Sequence, residues 1–188
     1  MTETKKAKGG NQIIRLALIL FLVSAITSGV LGFVNALTKD TIEEQERIKT
    51  EQAYNAVLPY DGGYTTVEGY DPQAFAGYTI NAIAQAGDEG WVVELTFSGA
   101  QGSITAAFGV SAEDYSITGA SVIDHAETSG LGAKITETDF TDSMIGQTEG
   151  MAVTKDGGTV DSITAATISS RAMANAGNTA IAAVKALG

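Results

Sequence analysis

The sequence predicts an α+β protein: a single N-terminal transmembrane helix followed by a domain built on a twisted antiparallel sheet flanked by helices. Three observations predict it. Leu16 to Leu37, "LALILFLVSAITSGVLGFVNAL", runs for 22 residues without a formal charge. Residues 60–123 break into short alternating or β-branched runs separated by glycine and acidic turns. "SSRAMANAGNTAIAAVKAL", Ser169 to Leu187, is rich in alanine, with apolar positions at Met173, Ala176, Ala180, Ile181 and Val184. That is helical spacing with one apolar face.

The apolar run comes first. At about 1.5 Å per residue it reaches about 33 Å, enough to cross a hydrocarbon core. Lys5, Lys6, Lys8 and Arg15 precede it, opposed only by Glu3. The positive-inside rule makes residues 1–15 a basic cytoplasmic N-terminus, residues 16–37 the span, and everything after it extracytoplasmic. A cleaved signal peptide ending at "VNA", Val34 to Ala36, is the alternative. The run exceeds the usual signal core of about 7–15 residues, which favours a retained anchor.

Residues 38–59 read as a stalk helix. Ile42, Ile48, Ala53, Tyr54, Val57 and Leu58 give it one apolar side, and Pro59 ends it. Residues 60–188 form the domain proper. "GYTINAIAQA", "GWVVELTFSG", "GSITAAFGV" and "YSITGASVI" are its predicted strands. "TDFTDSMIGQ" adds a short helical turn, and "GMAVTKDGGTVD" reads as a hairpin bent at "DGG". The final helix closes the domain.

Composition excludes much chemistry. The net charge is -11, and the part beyond the apolar run holds 7 basic and 21 acidic side chains. Such a surface repels phosphate backbones, so nucleic acid is not a partner. There is no cysteine and one histidine, His125. Thiolate metal sites, iron–sulfur clusters, disulfides and cysteine nucleophiles are all removed, and so is a histidine-rich metal site. Redox or catalytic work would need an organic cofactor, hydroxyls and carboxylates, or a partner.

The stretch "DSITAATISSRA", Asp161 to Ala172, combines five hydroxyl residues with little bulk at the mouth of the last helix. A helix N-terminus offers unpaired amides and the positive end of the dipole, and phosphates bind there. Thr164, Thr167, Ser169 and Ser170 add side-chain donors. Ala165 and Ala166 keep the surface low. Spacing alone favours a hydroxyl-capped helix with a hydroxyl-rich loop, because such capping is common.

The segment resembles the flavinylation motif of the FMN-binding domain family, Asp-x-x-(Ser/Thr)-Gly-Ala-Thr. It stands here as Asp161-Ser162-Ile163-Thr164-Ala165-Ala166-Thr167. The resemblance implies that Thr167 carries FMN as a threonine phosphoester, installed by a flavin transferase with FAD as donor. Ala165 departs from the family's glycine. If that position needs a positive φ, alanine resists it by about 1 kcal/mol or more. "HAETSGLGAKI", His125 to Ile135, resembles the family's second segment at His125, Glu127, Thr128, Gly130, Leu131, Gly132, Lys134 and Ile135. Two motifs in the right order are far more specific than one.

The resemblance implies a division of labour. Asp161, Thr164, Ala166, Ile168 and Ser169 would surround the phosphate at Thr167. Gly130 and Gly132 would let the backbone approach the flavin ring, with Leu131 lying against it. Lys134 would offset negative charge, while His125, Glu127 and Thr128 would supply polar contacts. Trp91 and Tyr115 stand outside the motifs and read as core or interface residues. "GAQG", Gly99 to Gly102, is a weak match to a glycine-rich loop at the flavin.

The whole plan, with one span, a stalk and one FMN domain, resembles the RnfG family, the G-type subunits of Rnf electron-transport complexes. The implied role is a redox subunit, not catalytic alone, of a translocase coupling ferredoxin:NAD+ electron transfer to Na+ or H+ translocation. The implied partners are the membrane and iron–sulfur subunits of that complex, and the transferase. Two alternatives remain open on the sequence alone. One is a component like the C-type subunit of a Na+-pumping NADH:quinone oxidoreductase. The other is a non-enzymatic extracytoplasmic assembly module whose FMN motif has decayed.

Overall fold

The computed structural model describes residues 9–187; Lys5, Lys6 and Lys8 of the expected cytoplasmic segment lie outside them. The chain divides into two compact units, Met1–Arg47 and Ile48–Gly188. The first consists of helix α1, Gly9–Val57, whose last turns belong to the second. Gln12–Lys39 is long and apolar enough to cross a membrane, and none of it is buried against protein. Its exposed side chains include Leu16, Phe21, Leu31 and Phe33. The predicted span and stalk are therefore one uninterrupted helix. It stops two residues before Pro59, because the residue preceding proline disfavours the helical region.

In the second unit, five strands pair antiparallel in chain order: β1 Thr65–Thr66, β2 Tyr78–Ala86, β3 Gly90–Ser98, β4 Ser103–Ser111 and β5 Ile117–His125. The four predicted runs supply β2 to β5. Alternation places Ile83, Val93, Leu95, Ile104 and Phe108 on one face, fully buried. Helix α3, Thr167–Lys185, covers that face with Met173, Ala180, Ile181 and Val184. Ile135 of a 3-10 turn, Gly132–Thr136, joins this core with Phe140 of the short helix α2, Thr138–Asp142.

The other face bears Ala84, Ala86, Val92 and Ala107, and receives Ala53, Tyr54, Val57 and Leu58 from the end of α1. The small residues allow close approach. A Cβ at Gly109 or Gly119 would collide with the Val57 backbone. Thr118 Oγ1 donates to the Val57 carbonyl at 2.6 Å, filling one of the acceptors a helix end leaves open. Tyr54 donates to Glu94 at 3.2 Å. Burial, and then the Glu94 carboxylate, push that phenol well above its ordinary range, so it remains a donor.

The segment Met151 to Asp161 departs from the predicted hairpin. Val153 and Val160 form an isolated parallel bridge, with a 3-10 turn, Thr154–Asp156, between them. The "DGG" bend is present: Gly157 has φ +86°, and a Cβ at Gly158 would collide with the Ala152 carbonyl. Both valines are buried in the core beneath α3, so the chain loops back in the same direction instead of reversing.

Candidate functional site

Glu127 lies two residues beyond β5 and is 8% exposed. Its Oε1 accepts the Ala100 amide at 2.7 Å and the Gln101 amide at 3.3 Å, in the loop between β3 and β4. Its Oε2 accepts from the Ser169 hydroxyl at 2.8 Å, in the first turn of α3. One carboxylate thus fastens the weakly matched "GAQG" loop, the "HAETSGLGAK" segment and the "DSITAATISS" segment together. A Cβ at Gly99 would collide with Oε1, and one at Gly132 with Oε2. These two glycines make room for the carboxylate. Gly130 lies in an open turn at φ +75°. His125 Nδ1 accepts the Glu127 amide at 3.2 Å, which leaves the neutral ring's proton on Nε2.

The start of α3 differs from a hydroxyl-capped helix. Its N-cap is Ala166, at φ -130°, and no side chain caps it. The first-turn amides of Thr167, Ile168 and Ser169 thus have no partner among the described residues. Ser169 and Ser170, expected as donors at the helix mouth, are both fully buried. Ser170 Oγ accepts the Ile163 amide and donates to the Ala166 carbonyl, each at 3.1 Å, holding the turn that leads into the helix. In that turn Ala165 has φ +64°, so the position does require the left-handed region where glycine is easiest.

A concavity of about 320 Å³ opens between these segments, lined by Ala100, Gln101, Glu127, Thr128, Leu131, Gly132 and residues 165–169, with Lys155 at its edge. The volume falls in the range of small-molecule sites. Leu131 and Ile168 are 45% and 61% exposed, large apolar side chains turned to solvent. Lys155 Nζ donates to Thr167 Oγ1 at 3.3 Å. Lys134, Asp161 and Thr164 line a neighbouring concavity with Glu137, Asp139 and Phe140. Asp161 is held there by its amide, which donates to Ser143 Oγ at 3.1 Å. Trp91 and Tyr115 stack on each other, ring centroids 6.3 Å apart, with Lys185 over Tyr115.

Lys155 and its neighbour Asp156 belong to no motif, and sequence reasoning misses both. Arg171 grips Asp156 through two bonds of 2.6 Å, Nε to Oδ2 and Nη2 to Oδ1. The only signal lies in spacing: Thr167 and Arg171 stand four apart, on one side of a helix.

An uncapped helix start with an ammonium beside a hydroxyl suits a phosphate ester, and a shallow wall of leucine, isoleucine, alanine and glycine suits a flat aromatic ring. These segments belong to a sheet-and-helix domain that follows, in the chain, a helix of membrane-spanning length. Residues 99–182 match the FMN-binding domain family, and residues 1–57 match the RnfG N-terminal region. The G-type subunit of the ion-translocating oxidoreductase complex of Methanosarcina acetivorans is 30% identical over 180 residues, covering 93% of this chain and 96% of that one. That of Cronobacter sakazakii is 33% identical over 181 residues, covering 84% and 83%. The G-type subunit of the Na(+)-translocating ferredoxin:NAD(+) oxidoreductase complex of Acetobacterium woodii is 30% identical over 188 residues, covering 90% of each. The crystal structure of the C-type subunit of the Na(+)-translocating NADH-quinone reductase from Parabacteroides distasonis is 22% identical, with a TM-score of 0.46 over 68% of this chain and 76% of that one. The chain belongs to the RnfG family, the G-type subunits of ion-translocating oxidoreductase complexes.

Proposed function

We propose that Thr167 carries FMN through a phosphoester and that the chain is a membrane-anchored electron-transfer subunit of an Rnf-type complex. One observation carries the reading: Glu127 joins both motif segments around a single concavity, with Thr167 Oγ1 at its edge beside an ammonium. FMN supplies reversible one- or two-electron transfer when bound. The chain's own residues hold and shield it. The first-turn amides of α3 and Lys155 hold the phosphate. Leu131, Ile168 and the Ala165-Ala166 backbone border the ring, and Thr128 and Gln101 offer polar contacts at its edge.

The basic flank before α1 and the acidic domain after it support a cytoplasmic N-terminus, a single crossing and an extracytoplasmic FMN domain. A covalent bond keeps the flavin where free FMN would not be replaced. The complex would couple ferredoxin:NAD+ electron transfer to Na+ or H+ movement. Its iron–sulfur centres lie on other subunits, because this chain has no cysteine. Maturation requires a flavin transferase.

Co-expression with such a transferase tests the reading. Wild type gives a flavin-fluorescent band on a denaturing gel, and Thr167→Ala gives none while keeping its thermal unfolding transition. Fluorescence retained by Thr167→Ala overturns the assignment. Ala165 favours a second reading, an assembly module that is never flavinylated, because its positive φ costs about 1–2 kcal/mol in the acceptor turn. A wild-type chain that stays colourless with an active transferase supports that module.

A further inference from the structure

The turn Thr154–Asp156 meets α3 at two points one helical turn apart. Lys155 reaches Thr167 Oγ1 at 3.3 Å, and the next residue, Asp156, is gripped by Arg171 through two bonds of 2.6 Å. Lys155 is exposed and sits on a flexible stem, so nothing on its own side chain fixes where its ammonium goes. Its backbone is fixed. The Asp156 amide donates to the Val153 carbonyl at 2.8 Å, the Thr154 amide to the Val160 carbonyl at 2.7 Å, and Val153 and Val160 are anchored in the core. The planar guanidinium then sets the turn's position along α3, because a two-point fork fixes orientation as well as distance.

We infer that the Asp156–Arg171 fork is a positioning device for flavin attachment: it holds Lys155 at Thr167 and so sets the rate at which that hydroxyl is modified. The inference rests on Thr167 being the flavin acceptor. In the attachment step a bond forms between Thr167 Oγ1 and the FMN phosphorus of the donor, a flavin adenine dinucleotide. The phosphoanhydride bond breaks, AMP leaves with the bonding pair, and the hydroxyl proton passes to a base on the transferase. Lys155 Nζ lies 3.3 Å from the oxygen that attacks, where its charge would also offset the negative charge that the non-bridging oxygens keep. An ammonium there favours the transition state over the free hydroxyl. Arg171 and Asp156 touch neither donor nor acceptor atom; they act through Lys155. No other cation stands within hydrogen-bonding reach of Thr167 Oγ1 among the described residues.

The test follows FMN incorporation over time into the full-length chain in detergent, with purified transferase and FAD. Lys155→Ala slows incorporation on the order of 10²-fold, the usual loss on removing one charge-stabilising donor. Arg171→Ala and Asp156→Asn each slow it on the order of 10-fold, and adding either to Lys155→Ala slows it no further, because the fork has nothing left to position. Lys155→Arg restores part of the rate. Thermal unfolding of each variant accompanies the kinetics. A rate for folded Arg171→Ala equal to wild type overturns the inference, and so does a full, additive Arg171→Ala defect on the Lys155→Ala background. Failure of the underlying reading looks different: wild type itself takes up no flavin, or Thr167→Ala takes it up.

Discussion

Glu127 and Ser169 stand 42 positions apart in the chain, and their side chains share a 2.8 Å hydrogen bond where both line the concavity at the start of α3. The same carboxylate accepts two amides of the loop between β3 and β4. Ser169→Ala leaves a buried carboxylate oxygen short of a donor and should cost about 1–3 kcal/mol. Glu127→Ala orphans both sides and should cost more. Urea unfolding of the full-length chain in detergent measures both, and a loss for Ser169→Ala below about 0.5 kcal/mol would remove Glu127 as the link between the motifs.

The glycines around this carboxylate differ in what they do. A Cβ at Gly99 or Gly132 meets Glu127, whereas one at Gly130 meets nothing and opposes only the positive φ. Gly132→Ala should cost about 1–3 kcal/mol by overpacking. Gly130→Ala should cost about 1 kcal/mol through backbone conformation. The ordering of their thermal midpoints checks the distinction.

Ala165→Gly relieves the strained turn ahead of Thr167. The gain is about 1–2 kcal/mol in the native turn, reduced by the extra freedom glycine gives the unfolded chain. The variant should accept flavin faster than wild type in the incorporation assay. An unchanged rate would mean that strain at Ala165 does not limit attachment.

The guanidinium of Arg171 holds the Asp156 carboxyl below the ordinary carboxylate value of 3.8. A depressed carboxylate stabilises the folded chain above its unfolded pKa, and that contribution is lost as pH falls through the depressed value. The thermal midpoints of wild type and Asp156→Asn should therefore differ by a constant amount from pH 7 to pH 5 and converge below about pH 4. A difference that fades near pH 6 would place the titrating group elsewhere.

Docking of the end of α1 on the sheet depends on two missing side chains, those of Gly109 and Gly119. Gly119→Ala drives a methyl into the Val57 backbone, and Val57→Ala removes two buried methyl-sized groups. Each should cost about 1–3 kcal/mol and expose residues 48–58 to proteolysis at lower denaturant than in wild type.

Strands β2 to β5 and helix α3 are legible in the sequence because their residues repeat with the period of the element, and glycines bound β2 and β3 at both ends. The two flavin motifs are legible as sequence, but the bond joining them is not. Glu127 reads only as a polar contact of the second motif until the fold brings Ser169 to it. The parallel loop around Thr154–Asp156 stays hidden because "DGG" specifies a bend, not the direction the chain takes after it. That loop brings Lys155 to Thr167, so the cation beside this hydroxyl cannot be read from the motif, which points to Lys134 instead. The burial of Ser169 and Ser170 is equally hidden, since a hydroxyl at a helix start looks the same whether it caps the helix or faces inward.

The intact mass of the chain purified from its own membranes, followed by peptide mapping, bears most directly on the central claim. A single FMN adduct on the peptide holding Thr167 is the predicted result. A native chain at its unmodified mass, or an adduct on any other residue, contradicts it.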